Sequence, residues 1–332
     1  MRIVITGANG FIGRRLTLAL LERNRLAVSD ETIDEIILFD RVPPQASTTG
    51  APLPDDPRLR IASGDIGDVD AVRRLISPDT ALVYHLAAIV SAEAEQDFDL
   101  GLRVNLDGTR NVLEACRAAG TSPRLVFASS VAVYGGTVPS MLDDLTILTP
   151  QTSYGTQKAA GELLVSDYSR KGHVDGRALR LPTVVVRPGR PNKAASTFAS
   201  SILREPLQGE SVACPVPPEQ AMYILSPRRV VDALLRAAEI PEETWGAERG
   251  LLLPGITCSV VEMLAGLKAV AGDAVANRVR WEPDEAIRAI VAGWPTRFRA
   301  DRARRLGFEA DGGVEEIIRA FIDDELGGSF VR

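Results

Sequence analysis

The chain has 332 residues, of which 45% are hydrophobic and 25% are charged, and this composition excludes disordered, collagenous and coiled-coil proteins. The net charge of −6, without a long run of Lys or Arg, argues against a nucleic-acid partner. Two histidines and three scattered cysteines form neither a zinc ligand set nor a disulfide framework, so we expect a reduced, cytoplasmic protein without a metal. No run of eighteen apolar residues is visible, so we also expect no membrane partner.

Short apolar segments alternate with longer amphipathic segments over the first half of the chain. The predicted strands are residues 3–6, 36–40, 59–62, 81–86, 124–128 and 178–186, and the predicted helices are residues 11–23, 68–77, 99–119 and 153–170. This alternation indicates an α/β protein with a Rossmann-like, doubly wound parallel sheet and helices on both faces. Further helices near 194–204, 226–238, 259–271, 283–292 and 313–325 predict a smaller C-terminal capping region.

A glycine-rich segment follows the first strand and opens the first helix. In a dinucleotide-binding loop, Gly7 would allow the tight turn, Gly10 would let backbone N–H groups approach a pyrophosphate, and Gly13 would permit close helix packing. A plain strand-to-helix turn is the simpler alternative. The predicted cofactor contacts of this loop are Gly7, Asn9, Gly10, Phe11, Ile12 and Gly13.

An acidic residue ends the second predicted strand. The carboxylate of Asp40 could accept hydrogen bonds from the adenosine ribose hydroxyls and repel a 2′-phosphate, which favours NAD over NADP. Arg41 follows directly and could offset that repulsion, so NADP stays possible. Asp40 could also be an ordinary solvated turn residue.

A tyrosine and a lysine stand four residues apart near the start of a predicted helix. Tyr154 and Lys158 would share one helix face, with Thr152 or Ser153 as the N-cap. An ammonium group beside a phenol stabilises the phenolate, so we expect Lys158 to lower the pKa of Tyr154 toward the working pH. Such a phenol is suited to take a proton from an alcohol.

Several motifs together resemble those of the extended short-chain dehydrogenase/reductase family, also called the NAD-dependent epimerase/dehydratase family. They are the segments 6–13, 64–66, 85–88, 105–109, 129–135 and 153–158, and they extend the resemblance over most of the chain. The resemblance implies that Tyr154 transfers the proton, that Lys158 modifies its pKa and binds the nicotinamide ribose, and that Ser130 holds the reacting oxygen. Further implied cofactor contacts are Asp65, Ile66, Leu86, Ala87, Ala88, Asn105 and Pro182.

The neighbours of these residues bear on the reaction type. Val131 and Ala132 stand where dehydratases of the family carry acidic residues, and Thr183 replaces an Asn that is frequent in enzymes of nucleotide sugars. The cationic stretch from residue 187 to 193 could instead bind a small hydroxy acid, since Arg187 or Arg190 can fork two hydrogen bonds to a carboxylate. A solvated loop is the simpler alternative. The predicted substrate contacts are Ser91, Ser130, Tyr154, Thr183, Arg187 and Asn192.

The resemblance therefore leads to one preferred function and two alternatives. Segments 88–93 and 187–207 resemble family members that oxidise the 2-hydroxyl of a four-carbon sugar acid with NAD. The alternatives are a nucleotide-sugar 4-epimerase with tightly bound NAD, and a non-catalytic NAD-sensing protein. We expect residues 1–188 to form the NAD-binding domain with the catalytic residues. Residues 189–332 would mainly bind substrate, with some segments returning to the first domain. The resemblance also implies a homodimer through the helices near 99–119 and 153–170.

Overall fold

A computed structural model of the chain describes residues 1–26, 31–42, 52–189 and 195–332. The strands within these ranges are β1 (Arg2–Thr6), β2 (Glu35–Asp40), β3 (Leu59–Ser63), β4 (Thr80–His85), β5 (Arg124–Ser130), β6 (Leu142–Asp143), β7 (Asp175–Leu181), β8 (Thr183–Val184), β9 (Val212–Cys214), β10 (Ala221–Leu225), β11 (Gly250–Leu252), β12 (Ile256–Ser259), β13 (Val279–Trp281) and β14 (Phe298–Arg299). Seven of them form one sheet in the order β11-β7-β5-β4-β1-β2-β3.

The helices lie on both faces of this sheet and in the C-terminal region. They are α1 (Phe11–Arg23), α2 (Val69–Arg73), α3 (Ser91–Gln96), α4 (Phe98–Gly101), α5 (Gly108–Ala119), α6 (Ser153–Arg170), α7 (Thr197–Leu207), α8 (Pro227–Glu239), α9 (Glu242–Trp245), α10 (Val260–Ala271), α11 (Asp273–Ala276), α12 (Glu285–Ala292), α13 (Asp301–Arg305) and α14 (Val314–Glu325). A π-helix, Leu102–Asp107, leads into α5, and a 3₁₀ turn, Val131–Val133, follows β5. Residues 99–119, predicted as one helix, are therefore three helical segments.

Every pairing in the seven-stranded sheet is parallel. Buried apolar side chains on both faces explain this arrangement, because Ile3, Val4 and Ile5 of β1 are fully buried although they alternate in direction. The predicted Rossmann-like parallel sheet is thus confirmed. Strand order reverses beside β1, between its neighbours β4 and β2, and ligands bind at the carboxyl edge of such a switch point.

The predicted strand over residues 178–186 is wrong in its second half. Strand β7 ends at Leu181, and Pro182 follows it without an N–H group for the ladder. Residues Thr183–Val184 then pair with β10 in a separate three-stranded sheet of order β12-β10-β8. The chain therefore leaves the main sheet directly beside the carboxyl end of β5, where Ser130 pairs with Leu181.

The C-terminal region has a core of its own and also returns to the main sheet. Buried side chains of α7, α10 and α14, including Phe198, Met263 and Phe321, form one hydrophobic cluster. By contrast, β11 is an edge strand of the main sheet, and α8 packs against α1. The division into an NAD-binding and a substrate-binding domain at residue 188 stays a prediction.

A buried ionic cluster joins the amino end of β7 to the end of α8. The carboxylate of Asp175, 7% exposed, accepts hydrogen bonds from Arg124 at 2.8 Å, Arg177 at 2.6 Å and Arg249 at 3.0 Å. Burial alone would raise the pKa of Asp175, but Arg177 and Arg124 hold it below its usual value. Arg124 also donates to the carbonyl of Ala238, so one carboxylate organises the start of the strand and the last turn of the helix.

We expect Asp175→Asn to lower the free energy of unfolding by about 3–5 kcal/mol, because the variant leaves buried arginines without their counter-charge. Urea unfolding measures this loss. Asp273→Asn is the matched control, since the ion pair of Asp273 with Lys268 is 68% and 61% exposed. It should cost less than about 1 kcal/mol. Equal losses in the two variants would contradict the structural role of the cluster.

Candidate active site

The glycine loop between β1 and α1 has the geometry that a dinucleotide requires. Gly7 has φ +71°, and a Cβ there would lie 2.7 Å from the backbone nitrogen of Ala87. A Cβ on Gly13 would lie 2.5 Å from the carbonyl of Gly7, so only glycine lets α1 pack this closely on the strand. Gly10 is exposed, and no side chain caps α1 there. The N–H groups of the first turn, at Phe11 and Ile12, therefore suit a pyrophosphate.

Asp40 ends β2 beside this loop. Its carboxylate accepts a hydrogen bond from the backbone N–H of Asn9 at 2.9 Å, and the Asn9 side chain donates to the carbonyl of Val42. The contact ties the loop to the strand end and leaves Asp40 half-buried at the switch point. This location suits the ribose-binding role predicted for Asp40.

The residues predicted to flank adenine differ in character. Ile66 is buried against Gly108, whereas Asp65 is half-buried and accepts hydrogen bonds from Gly67 and Arg103. Burial opposes the charged form of Asp65, but these two bonds hold its pKa below the usual value. Arg103 lies on the π-helix and was not anticipated, because a lone arginine in a helix carries no sequence signal for this contact.

The segment after β4 lies directly beneath the glycine loop. Leu86 and Ala87 donate backbone hydrogen bonds to Thr6, and with Ala88 they are partly exposed along the edge of the sheet. Asn105, predicted as a cofactor contact, is only 1% exposed and bonds instead to both backbone groups of Ile89. Its amide fixes the course of residues 86–90, so the structure supports a positioning role rather than direct contact with a dinucleotide.

Helix α6 brings the predicted catalytic residues to the end of β5. Its first turn is capped by the Thr152 hydroxyl, which accepts from Gly155 N at 3.0 Å. A Cβ on Gly155 would overlap the carbonyl of Ala132, so the glycine allows the helix to approach the 3₁₀ turn closely. The Ser130 side chain stabilises the phenolate of Tyr154, so the two hydroxyls lie close enough to act on one oxygen atom.

The pKa of Tyr154 differs from the sequence expectation. Burial raises it to about 12, while the hydrogen bond with Ser130 and the charge of Arg187 lower it. Lys158, predicted to lower the pKa, has its Nζ 5.7 Å from the centre of the Tyr154 ring and donates to the Ala128 carbonyl at 2.8 Å. Burial lowers the pKa of Lys158 itself to about 7, so its charge is weakened where it would be needed. In the protein alone, the cation that acts on the phenol is Arg187.

His85 lies between the strands beneath the site. Its ring is 1% exposed, contacts the hydroxyls of Thr6 at 2.7 Å and Thr109 at 3.0 Å, and stacks on Phe127. Burial, followed by the charge of Lys158, lowers the pKa of His85 to about 3. A ring that is neutral and fully bonded packs the core and is not a base for the reaction.

The predicted substrate residues lie at the exit from the main sheet. Thr183 is half-buried in β8 directly after the buried Pro182, and Ser91 is half-buried at the start of α3. Arg187 and Arg190 were alternatives for a carboxylate. Arg190 and Asn192, like the other residues of 190–194, lie outside the described residues.

Arg187 is held by helix α7. Its guanidinium donates to the Ser196 hydroxyl at 2.8 Å, its backbone N–H donates to the Ser200 hydroxyl at 3.1 Å, and its carbonyl accepts from Arg204 at 2.6 Å. Burial and the neighbouring charge of Arg204 lower the pKa of Arg187 to about 10, so it stays cationic near neutral pH. Ser196, Ser200 and Arg204 were not anticipated from the sequence. These three residues stand four apart in the sequence, which places them on one face of a helix. This spacing was the signal that could have indicated them.

This arrangement can bind a dinucleotide along the carboxyl edge of the sheet and an anion beside Tyr154. Within the ranges described above, no group of three or more His, Cys, Asp or Glu residues could hold a metal ion, and no helix is long and apolar enough to cross a bilayer. The profile of the "NAD dependent epimerase/dehydratase family" matches residues 3–248. The chain belongs to this family.

Individual relatives match over the whole chain. A D-erythronate dehydrogenase of Cupriavidus necator is 49% identical, covering 98% of each protein, and one of Haemophilus influenzae is 44% identical, covering 98% of this chain and all of the relative. A crystal structure described as the nucleoside-diphosphate-sugar epimerase from Agrobacterium tumefaciens is 44% identical. The match covers 99% of this chain and 95% of the chain in that crystal structure, and its TM-score is 0.93. The chain is thus similar to family members with two different named activities.

The buried ring of His85 makes a pH-dependent contribution to stability. An unfolded histidine binds a proton below about pH 6.5, whereas the folded protein does not until about pH 3. The unfolded state therefore binds one more proton in this interval, and stability falls with falling pH by about 1.4 kcal/mol per unit.

We expect the stability difference between the protein and His85→Gln to change by about 2–3 kcal/mol, in favour of the variant, from pH 7 to about pH 4.5. Urea unfolding at the two pH values measures it. His173→Gln, at the other histidine in the sequence, controls for loss of an imidazole elsewhere. A difference for His85→Gln that stays constant with pH would show that the ring has the same pKa in the folded and the unfolded protein.

Proposed function

We propose that the protein oxidises the 2-hydroxyl of D-erythronate to the 2-oxo acid with NAD. The observation that carries the proposal is that one cation, Arg187, acts on Tyr154 in a site that also joins Tyr154 to Ser130. A base, an oxygen-binding hydroxyl and a carboxylate ligand are what a 2-hydroxy acid requires. The names of the two relatives that are 49% and 44% identical support this substrate.

The surroundings of Arg187 favour a small anion. The described partners of its guanidinium and backbone are the serines of α7 and Arg204, which leave the positive charge without a carboxylate in these contacts. A guanidinium can hold a carboxylate through two parallel hydrogen bonds, which fixes both its position and its plane. With the carboxylate on Arg187, the neighbouring carbon would present its hydroxyl to Tyr154.

The protein residues divide the reaction between them. The phenolate of Tyr154, which burial disfavours and which Arg187 and Ser130 stabilise, takes the proton of the 2-hydroxyl. Ser130 holds the same oxygen while the carbon–oxygen bond becomes a carbonyl. Bound NAD would supply the acceptor for the hydride of the substrate carbon, so the alcohol would lose one proton and one hydride together. Arg187 stabilises the phenolate through its charge, and Lys158 would bind the nicotinamide ribose. The Tyr154 hydroxyl, the glycine loop and Asp40 lie along the carboxyl edge of the main sheet. This placement supports NAD as the cofactor.

The direct test measures NADH formation with D-erythronate, its C4 stereoisomers and nucleotide sugars, each with NAD and NADP. We expect turnover with D-erythronate and NAD and slower turnover with NADP, because Asp40 disfavours a 2′-phosphate. Net NADH formation from no sugar acid would refute the proposal. Binding of NAD without turnover of any compound in the panel would favour a non-catalytic sensor.

A nucleotide-sugar epimerase is the second candidate, because the structure with a TM-score of 0.93 is described as a nucleoside-diphosphate-sugar epimerase. An epimerase would return the hydride to its substrate and so reoxidise the cofactor within each cycle, which lets the cofactor stay bound. Denaturing the purified protein and assaying released dinucleotide separates the two activities. Stoichiometric NAD together with interconversion of nucleotide sugars would support the epimerase.

We also propose that the protein is a cytoplasmic homodimer of carbohydrate metabolism, joined through α5 and α6. The exposed side chain of Leu163 on α6, 68% accessible, supports an interface there. Sedimentation of the protein beside Leu163→Glu tests the assembly: the variant should be monomeric, and a variant dimer would place the interface elsewhere.

We expect Tyr154→Phe to lower kcat by about a thousandfold or more, because general base catalysis typically contributes 10²–10⁴-fold and the variant has no acidic group at that position. NAD affinity, measured by calorimetry, should change little. Tyr168→Phe on the same helix is the control, since Tyr168 bonds to Glu114 at the far end of α6. Ordinary turnover by the Tyr154 variant would exclude this residue as the base.

We expect Arg187→Met to raise KM for D-erythronate by about tenfold to a hundredfold, since hydrogen bonds to charged groups contribute about 1.5–3 kcal/mol. Erythritol, which lacks the carboxylate, should be a poor substrate for both proteins and should distinguish them much less. Arg170→Met, at an exposed arginine that pairs with Asp167, is the control. The same KM penalty with both substrates would mean that Arg187 does not bind the carboxylate.

A further inference from the structure

A buried carboxylate on α6 connects the three elements that carry the candidate site. Glu162, 3% exposed, accepts hydrogen bonds from Arg180 of β7 at 2.8 and 3.0 Å and from the hydroxyl of Ser129 on β5. Arg180 also donates to the hydroxyl of Tyr134 at 2.8 Å. We call these four residues the Glu162 cluster. Ser129 directly precedes Ser130, so the cluster adjoins the site from behind.

Lys158 lies one helical turn before Glu162 on α6. The lysine is 2% exposed, and its Nζ lies 4.7 Å from the centre of the Phe127 ring and bonds to the Ala128 carbonyl. Residues four apart on a helix are neighbours, with Cβ atoms about 5–6 Å apart. The carboxylate whose charge acts on Lys158 is that of Glu162.

We propose that Glu162 is a positioning residue that favours the charged form of the buried Lys158, while Arg180 and Ser129 hold the carboxylate in place. The proposal rests on the proposed function for the catalytic importance of Lys158. Burial lowers the pKa of Lys158 to about 7, and the charge of Glu162 counteracts this effect. A nearby opposite charge typically shifts a pKa by 1–3 units. Without Glu162, the lysine would lose its charge at a lower pH.

The other ionisable groups around Lys158 do not supply this charge. Tyr154 is protonated near neutral pH because burial raises its pKa to about 12, and His85 is neutral because burial lowers its pKa to about 3. Arg180 is a cation. Among the carboxylates on the helices packed against α6, Glu95 bonds to the Ser153 N–H at its start, Glu114 bonds to Tyr168 near its end and Asp107 pairs with Arg110.

The sequence offers a direct way to test the proposal, because it contains four lysines, at positions 158, 171, 193 and 268. Lysine ε-carbon chemical shifts in labelled protein report each ammonium group separately, and Lys158→Met assigns the signal of interest. The protein needs neither cofactor nor substrate for this measurement. We expect Lys158 to titrate near pH 7 and the E162Q variant to lower its pKa by about one unit or more.

Asp175→Asn is the matched control for E162Q. It also removes a buried carboxylate bonded to arginines, and it lies on the same strand as Arg180 but about 16 Å away, at five residues of 3.3 Å each. We expect it to leave the pKa of Lys158 unchanged. If E162Q does not fold because Arg180 is left unpaired, the double variant with Arg180→Met removes both charges. Its Lys158 should titrate below the wild-type value.

Two results would overturn the proposal: an unchanged Lys158 pKa in the folded Glu162 variant, or an equal decrease in Asp175→Asn. In turnover assays, E162Q should move the alkaline limit of kcat to lower pH by the same amount as the lysine titration. Failure of the proposed function can be told apart from failure of the Glu162 proposal. If the wild-type protein did not oxidise erythronate, the titration of Lys158 would still test the effect of Glu162.

Discussion

The close approach of α6 to the end of β5 is the contact on which the candidate site depends. Gly155 meets the carbonyl of Ala132 where any side chain would overlap it. The following turns of the helix then reach residues further back along the strand, since Lys158 bonds to Ala128 and Glu162 bonds to Ser129. Proton-transfer geometry at Tyr154 is therefore a result of helix-on-sheet packing, not of the two hydroxyls alone.

Burial sets the electrostatics of this site more strongly than any single pair of residues. It raises the pKa of Tyr154, lowers that of Lys158 and keeps His85 neutral. Each shift opposes the charged form of the group, as transfer from water into a low dielectric requires. Charged neighbours such as Arg187 and Glu162 then act against that background. A bound anion on Arg187 and a bound cofactor would both alter it, which links substrate binding to proton transfer.

The sequence predicts correctly those helices and strands whose signals lie within the element or directly beside it. The helices α1 and α6 match the predicted ranges 11–23 and 153–170, because the glycines before α1, the cap of α6 and the periodicity of both helices are local signals. The strand over 178–186 failed at Pro182, which ends one ladder and lets the next residues join another sheet. The pKa of Tyr154 and the contacts of Asn105 could not be predicted, because they depend on burial and on partners distant in sequence. The spacing of four residues between Tyr154 and Lys158 did not indicate that Lys158 would donate a hydrogen bond to the Ala128 carbonyl.

The edge position of β11 has a consequence for how the chain can be divided. This strand comes from residues Gly250–Leu252, yet it covers the outer side of β7 through three backbone pairings. A fragment ending at residue 188 would expose the polar backbone of β7, a template for association with other chains. The amino-terminal half thus completes its hydrogen-bonded sheet only after the chain has been synthesised as far as Leu252.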